Sequence, residues 1–255
     1  MAGILNYLRS KIVLPVYLSL FILSTPHISP SVYSNPFQER QLLEQRALEF
    51  QKDRIRLVKE NAENFRKRKI KELMPESSEY LNLLFDSCRE YDFKPEEMAA
   101  TFDTESEWNT YAISPSGAAG IPQLMPQTAH DLGLRPIFKY NEFIENERRY
   151  SDGKITRNER DRFRNDYADE LISLRDKRLD ARFNPRKSIP AGANYYNELR
   201  KKYDNSQMAS AAYNAGPYAV DKWMDNGWKG NYRTIPFDQT RRYVKNVNLK
   251  LEALM

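Results

Sequence analysis

Glu105 is the residue of this chain whose type and position most directly suggest acid–base chemistry. Met98, Phe102 and Glu105 follow one another at helical spacing, so they share a helix face that we predict to be turned toward the core. Burial disfavours the charged form of a carboxyl, which predicts a raised pKa and a retained proton, the state that a general acid needs. The neighbours Asp103 and Glu107 lie about 200° around the helix and point elsewhere. Periodicity alone leaves open that the helix frays and exposes Glu105 to solvent.

The segment after Glu105 reads SPSGAAGIPQLMPQTAHDLG from residue 114 to residue 133 and is rich in small, amide and turn-forming residues. Its glycines and prolines predict a loop that folds tightly over a site and then enters a helix at about Ile121. The sequence therefore places a polar loop with few carboxylates beside one acidic side chain.

Helical periodicity dominates the elements that must position this site, and no stretch shows the clean alternation of a strand. Pro95 stands in the first turn of the Glu105 helix, with Glu96 and Glu97 behind it at the positive helix end. We therefore predict an all-α fold. The other apolar helix faces comprise Tyr80, Leu84, Cys88 and Tyr91 (after Ser77 as N-cap), then Ala193, Tyr196 and Leu199, and finally Tyr243, Val247 and Leu251.

The amino-acid composition argues against two classes of protein, nucleic-acid-binding proteins and metal-dependent hydrolases. The 40 Lys and Arg residues against 35 Asp and Glu give a net charge of +5, and 40% of the 255 residues are hydrophobic, enough for one core with appendages. This mixed balance lacks the concentrated basic footprint of a nucleic-acid-binding protein. A single cysteine, Cys88, and two histidines, His27 and His130, argue against a cysteine cluster or a histidine-rich metal site. Metal-dependent hydrolysis is therefore not expected.

The amino terminus has the pattern of a secretory signal, with Arg9 and Lys11 before an apolar run from Ile12 to Leu23. The run is shorter than the roughly 20 residues that span a bilayer. Cleavage after Ser34 and retention as an uncleaved membrane anchor both stay open. The sequence therefore predicts export to the periplasm or cell envelope, with residues 1–34 as signal peptide or anchor.

Residues 35–74 are dense in charge and predict a long amphipathic helical extension with a thin apolar stripe that includes Leu43, Ala47, Phe50 and Leu57. A solvated extension and a coiled-coil docking arm are the two interpretations of this helix. Residues 75–255 are predicted to form the main domain.

Three separated motifs occur in an order that is more specific than any one of them. They are ESEWNTYAISPSGAAGIPQLMPQTAHDLG at 105–133, AAYNAGPYAVDKW at 211–223 and TRRYVKNV at 240–247. Together they resemble the catalytic domain of the soluble lytic transglycosylases, which cleave peptidoglycan. The resemblance covers roughly residues 77–250. It implies a lysozyme-like, mainly α fold with a long saccharide cleft, and this fold can include a small hairpin.

The resemblance assigns roles to the residues that match these motifs. Glu105 matches the single catalytic acid and base of the family. A packing role is the alternative for the matching polar and aromatic residues, because an aromatic side chain at helical spacing is more often part of a core. The residues that the resemblance assigns to substrate binding are Ser114, Gln123, Tyr213, Asn214 and Tyr243.

The resemblance also implies why one carboxyl suffices. In this family the C6 hydroxyl of N-acetylmuramic acid attacks from within the substrate and closes a 1,6-anhydro ring, whereas other glycosidases need a second carboxylate. A lytic transglycosylase acting on peptidoglycan glycan strands without a cofactor is the implied function. Two alternatives stay open. One is a hydrolytic muramidase on the same scaffold, and the other is a glycan-binding component of an envelope-spanning assembly that docks through the N-terminal helix or the insertion.

The sequence departs from the family pattern at Pro122 and in a long segment. Pro122 stands where the family often has methionine or another larger residue, which predicts a differently shaped cleft floor. The segment from about residue 135 to residue 183 is much longer than the usual link between motifs, and its composition predicts a charged helical insertion.

Within the insertion, DGKITRNE resembles the second half of a calcium loop, with Glu159 at the closing ligand position. Arg148 and Tyr150 occupy the places of the first two oxygen ligands, which argues against a cation site. A helix–turn–helix with Asp152 and Gly153 as its turn is the favoured interpretation.

Overall fold

Ten α-helices make up most of the part of the chain that the computed structural model describes, residues 36–74, 78–174 and 179–255. The all-α prediction is confirmed. Among the described helices, none is long and apolar enough to cross a membrane. The predicted signal segment, residues 1–34, and the predicted N-cap Ser77 lie outside the described residues. The helices are α1 Pro36–Lys71, α2 Ser78–Glu90, α3 Pro95–Ser106, α4 Pro126–Asp131, α5 Tyr140–Ser151, α6 Arg157–Leu174, α7 Pro185–Tyr203, α8 Ser206–Ala215, α9 Pro217–Asp225 and α10 Asp238–Leu254, with 3-10 turns at Ala181–Phe183 and Tyr232–Thr234.

The chain divides into two units, residues 1–60 and 61–255. In the described part of the first unit, α1 carries ion pairs one turn apart, such as Arg40 with Glu44 at 3.1 Å. Phe50 and Leu57 of the predicted apolar stripe are exposed. The predicted long helix is confirmed, whereas the domain boundary at residue 75 and the role of the extension stay predictions.

The core of the second unit is enclosed by α2, α3, α7, α8 and α10. Helix α2 packs on α7, α7 on α8, α8 on α10, and α10 on α3. Leu84, Phe102, Tyr196 and Val244 contribute fully or almost fully buried side chains from four of these helices. The apolar faces predicted from helical spacing therefore meet in one core, and α3 crosses it with Glu105 in its last turn.

Side chains at the helix ends explain where two of these helices begin. Pro95 occupies the first turn of α3, where its missing N–H costs no hydrogen bond. Asn205 caps α8, because its side-chain oxygen accepts hydrogen bonds from the backbone N–H groups of Gln207 and Met208 at 2.9 and 3.0 Å. Helix α8 ends at Ala215, and the next residue, Gly216, has a φ of +84° that the absence of a side chain permits.

The prediction of a helix from Ile121 is wrong, because the helix after the loop begins at Pro126. Gly120 and Gln123 have φ values of +77° and +48°, which a right-handed helix cannot contain. The loop is instead folded on itself by two isolated antiparallel bridges, Ile113 with Ala119 and Ala119 with Leu124.

The insertion forms a pair of packed helices, α5 and α6, joined by a turn in which Gly153 has a φ of +68°. The favoured helix–turn–helix interpretation is confirmed. The side chain of Glu159 accepts hydrogen bonds from the N–H and the hydroxyl of Thr156 at 2.7 and 2.8 Å, and so caps α6. Asp152 pairs with Arg148 and Lys154 at 3.1 and 3.0 Å. In this turn, Glu159 therefore caps a helix and Asp152 forms ion pairs.

Candidate active site

Glu105 lies in the last turn of α3, and the backbone turns sharply just behind it. Glu107 and Trp108 have φ values of 50° and 61°, two consecutive left-handed residues with large side chains. Such residues are strained and tend to occur at functional sites. Trp108 is buried and meets the ring of Phe102 edge-on at 5.7 Å, which holds the turn in place. This turn was not predicted from the sequence, although the bulky Trp108 two residues after the helix end is a visible signal.

The carboxyl of Glu105 has the protonation behaviour that the sequence predicts. Glu105 is half-buried, and the surrounding protein raises the pKa of its carboxyl to about 8. Burial is the main cause, and the nearby hydroxyl of Tyr243 opposes it by lowering the pKa. Glu105 is therefore mostly protonated at neutral pH.

Tyr213 and Tyr243 are brought to Glu105 from α8 and α10. Burial raises the pKa of both phenols well above the usual value, and the charge of Glu105 raises it further. The hydroxyl of Tyr213 donates a hydrogen bond to the backbone oxygen of Pro122 at 2.8 Å. The hydroxyl of Tyr243 is buried, and the carboxyl of Glu105 is the hydrogen-bonding group beside it that raises its pKa. The Tyr243 hydroxyl can therefore donate a hydrogen bond to the Glu105 carboxyl.

Asn214 lies directly after Tyr213 and connects α8 with α10. Its side-chain oxygen accepts a hydrogen bond from the hydroxyl of Thr240 at 2.9 Å. Thr240 is buried one turn before Tyr243. Asn214 therefore fixes the spacing of the two tyrosine-bearing helices, and its amide N–H groups make no hydrogen bond to the described residues.

Ser114 and Gln123 stand in the loop between α3 and α4, and their hydrogen bonds stay within it. The hydroxyl of Ser114 accepts from the N–H of Ala118 at 3.0 Å. The amide nitrogen of Gln123 donates to the backbone oxygens of Ala112 and Gly120 at 3.0 and 2.8 Å. The Ser114 hydroxyl proton and the Gln123 side-chain oxygen make no hydrogen bond to the described residues.

Two hydrogen bonds join this loop to the Glu105 site. Ser106, the residue after Glu105, donates from its hydroxyl to the backbone oxygen of Ile121 at 2.8 Å. Tyr213 reaches the next residue of the loop, Pro122. The structure thus brings Glu105, Tyr213 and Tyr243 together directly, whereas Ser114 and Gln123 are connected to them through the loop backbone.

The described residues near Glu105 include no second carboxylate that changes its pKa. Asp103 is turned away and pairs with Lys250 at 2.6 Å. Glu107 is exposed beyond the left-handed turn. Two surface pockets of about 300 and 460 Å³, which include Tyr140 and Asn194 respectively, are lined by none of the predicted site residues. Among the described residues, Glu105 is therefore the one candidate carboxyl for acid–base chemistry at this site.

A buried ion pair next to the loop was not predicted from the sequence. Asp180 and Arg182 are both completely buried, with Nη2 of Arg182 2.7 Å from Oδ2 of Asp180. The signal that points to them is two opposite charges inside the otherwise apolar stretch LDARF.

The raised pKa of Glu105 predicts the pH dependence of turnover. The resemblance implies that the protonated carboxyl is the active acid, so kcat/KM for glycan cleavage is expected to be high at neutral pH and to fall about tenfold per pH unit once the pH exceeds the pKa of about 8. Because the hydroxyl of Tyr243 lowers this pKa, the Tyr243→Phe variant should move the falling limb to higher pH. The measurement is kcat/KM on soluble glycan strands across the pH range. A rate that stays flat well into the alkaline range would contradict the buried acid.

The chain matches a known domain family. The model of the transglycosylase SLT domain matches residues 83–148 and 163–235, more than half of the chain, and its unmatched gap falls inside the insertion. The soluble lytic murein transglycosylase of Escherichia coli (strain K12) is 32% identical over 151 residues, 56% of this chain and 18% of that protein. The protein of the same name from Salmonella typhimurium is 30% identical over 151 residues, again 56% of this chain and 18% of that protein. The matched part thus spans about a fifth of the curated relatives' length.

Solved structures of similar proteins align over a larger share of the chain. The lytic transglycosylase Slt of Pseudomonas aeruginosa, solved as an inactive mutant, is 26% identical with a TM-score of 0.44, covering 67% of this chain and 23% of that one. The 70 kDa soluble lytic transglycosylase of Escherichia coli is 24% identical with a TM-score of 0.47, covering 72% of this chain and 25% of that one. On the match to the family model, the chain belongs to the transglycosylase SLT domain family.

Proposed function

We propose that this chain is a lytic transglycosylase that cleaves the β-1,4 bond between N-acetylmuramic acid and N-acetylglucosamine in peptidoglycan and leaves 1,6-anhydromuramic ends. The observation that carries the proposal is a single half-buried carboxyl, Glu105, with a pKa of about 8 beside two buried tyrosines. The names of the similar soluble lytic murein transglycosylases support the same substrate.

In the first half of the reaction, protonated Glu105 donates its proton to the glycosidic oxygen. The bond from that oxygen to C1 of the muramic residue breaks, the N-acetylglucosamine hydroxyl leaves, and C1 acquires oxocarbenium character. Glu105 is left as a buried carboxylate. The hydroxyl of Tyr243, which has no other acceptor among the described residues, can then donate to it and stabilise the charge.

In the second half, the C6 hydroxyl of the muramic residue forms a bond to C1, and the carboxylate of Glu105 takes the hydroxyl proton. This returns Glu105 to its starting state and consumes no water. Holding the nucleophile inside the substrate makes the step unimolecular. A second carboxylate is therefore unnecessary, in keeping with the ion pair of Asp103 with Lys250 and the exposure of Glu107.

The remaining predicted site residues can orient the sugar. Ser114 retains a proton to donate, Gln123 retains a side-chain oxygen to accept, and Asn214 retains amide N–H groups. We propose that these groups bind the N-acetyl and hydroxyl substituents of the reacting muramic residue. Tyr213 mainly holds the loop in position, because its hydroxyl already donates a hydrogen bond to the backbone oxygen of Pro122.

Digestion of murein in water enriched in heavy oxygen tests the reaction. If the C6 hydroxyl is the nucleophile, the new muramic ends will be unlabelled and lighter than a reducing sugar by one water, as measured by mass spectrometry. Dominant labelled reducing ends would contradict the proposal in favour of a muramidase, in which a protein carboxylate activates water. Absence of cleavage on any murein, with glycan binding retained, would favour the glycan-binding component.

Peptidoglycan as substrate also implies a place of action. We propose that the chain works at the cell envelope, as the sequence of its first 34 residues predicts. Docking on an envelope partner through helix α1 or through the insertion stays a prediction.

A further inference from the structure

Arg182 is a completely buried cation outside the matched motifs, and each of its five N–H groups has an acceptor. Its Nε and Nη2 atoms hold the carboxylate of Asp180 at 2.9 and 2.7 Å. Its Nη1 atom donates to the backbone oxygens of Gly117 and Leu124 at 2.7 and 3.0 Å. The second Nη2 hydrogen bond goes to the hydroxyl of Tyr167 on α6 at 2.8 Å. One side chain near the end of the insertion therefore joins the loop to helix α6.

The two backbone oxygens bound by Arg182 lie close in the sequence to the loop residues that are proposed to bind the substrate. Gly117 follows Ser114 by three residues, and Leu124 follows Gln123 directly. Between them, Gly120 lies so close to Arg182 that a methyl group in place of its hydrogen would collide with the Arg182 backbone oxygen. The loop therefore has no space to shift toward Arg182.

Other residues of the insertion form further hydrogen bonds with the network around Asp180 and Arg182. The Tyr167 hydroxyl donates to the backbone oxygen of Phe138 at 3.0 Å, and the backbone N–H of Phe138 donates to Asp180 at 3.1 Å. The rings of Phe143 and Tyr167 pack edge-on at 5.0 Å. A side chain at Gly117 would come within 3.2 Å of both rings, so the insertion lies directly against the loop.

From these contacts we infer that the insertion is a positioning element for the loop. Helices α5 and α6 act through Tyr167 and Arg182 on the backbone of Gly117 and Leu124, and thereby hold Ser114 and Gln123 in their orientation. Tyr167 and Arg182 are positioning residues that do not touch the substrate. The inference rests on the proposed function in one respect, that the ligand of the loop is a glycan.

The Tyr167→Phe variant of the full chain tests the connection, because it removes one hydroxyl and leaves the packed ring and the Asp180–Arg182 pair. The matched control is Tyr150→Phe on the same insertion, whose ring lies under the guanidinium of Arg160 at 4.1 Å. We expect backbone amide hydrogen exchange in residues 114–124 to become about tenfold faster in Tyr167→Phe and to stay unchanged in Tyr150→Phe. Unchanged exchange in both variants would overturn the inference, whether or not the chain cleaves murein.

Activity provides the second measurement. In Tyr167→Phe we expect kcat/KM on glycan strands to fall about tenfold, with the falling pH limb unmoved because Glu105 keeps its surroundings. Glycan binding, measured in a Glu105→Gln background, should weaken in parallel, while Tyr150→Phe keeps both. Full activity and full binding in Tyr167→Phe would overturn the inference. An inactive unsubstituted chain would contradict the proposed function instead and would leave the exchange comparison valid.

Discussion

Replacing Glu105 by glutamine is expected to lower the rate of murein cleavage by about 10³-fold. Glutamine has nearly the same shape but carries no transferable proton, so the glycosidic oxygen is not protonated and the C6 hydroxyl has no base. The pKa of about 8 indicates that no ionised carboxylate is lost at neutral pH, so the fold should remain intact. The rate is measured on soluble glycan strands, with glycan binding by calorimetry.

The control for this variant is Glu107→Gln, two residues further on. Glu107 is exposed beyond the left-handed turn, so this variant should keep its full activity. Glycan binding and the thermal midpoint of Glu105→Gln should match those of the unsubstituted chain. Substantial residual turnover in Glu105→Gln would show that another group is the acid.

The Arg182→Met variant is expected to lose about 3–5 kcal/mol of unfolding free energy. The substitution leaves the carboxylate of Asp180 buried without its cation and removes the donors to the backbone oxygens of Gly117 and Leu124. Urea unfolding followed by circular dichroism measures the loss. The same variant should lose murein cleavage even where it is still folded, since the loop is released.

An exposed ion pair supplies the comparison. Arg242 pairs with Asp238 at 3.1 Å on the surface of α10, so Arg242→Met should change the unfolding free energy by less than about 1 kcal/mol. Removing both buried charges, in Asp180→Asn with Arg182→Met, should recover part of the loss because no uncompensated charge remains. Equal stability of Arg182→Met and Arg242→Met would show that the buried pair does not hold the fold.

Local patterns in the sequence were sufficient for the helices and for the candidate acid. Apolar residues at helical spacing predicted the all-α fold, and the same spacing placed Glu105 on the core-facing side of α3 with Met98 and Phe102. This works because the period of a helix fixes which side chains share a face, whatever the rest of the chain does. Pro95 likewise marked the beginning of α3 correctly, because the preference of proline for a first turn is local.

The path of the loop after Glu105 could not be predicted from local patterns. The sequence predicts a helix from Ile121, but the chain takes left-handed conformations at Gly120 and Gln123 and becomes helical only at Pro126. Nonglycine residues adopt such a conformation only when surrounding contacts compensate for its strain. At Gln123 those contacts are the two hydrogen bonds from its own side chain to backbone oxygens of the loop.

Only the tertiary structure decided what surrounds the acid and what holds the loop. Tyr213 and Tyr243 reach Glu105 from distant helices, and the rise in its pKa depends on how closely such groups exclude water from the carboxyl. Arg182 lies far along the chain from the loop, and three of its five N–H groups find acceptors only once α6 and the loop have packed against it. Burial and hydrogen-bond satisfaction are sums over contacts between distant segments, and the spacing of residues along one helix does not contain them.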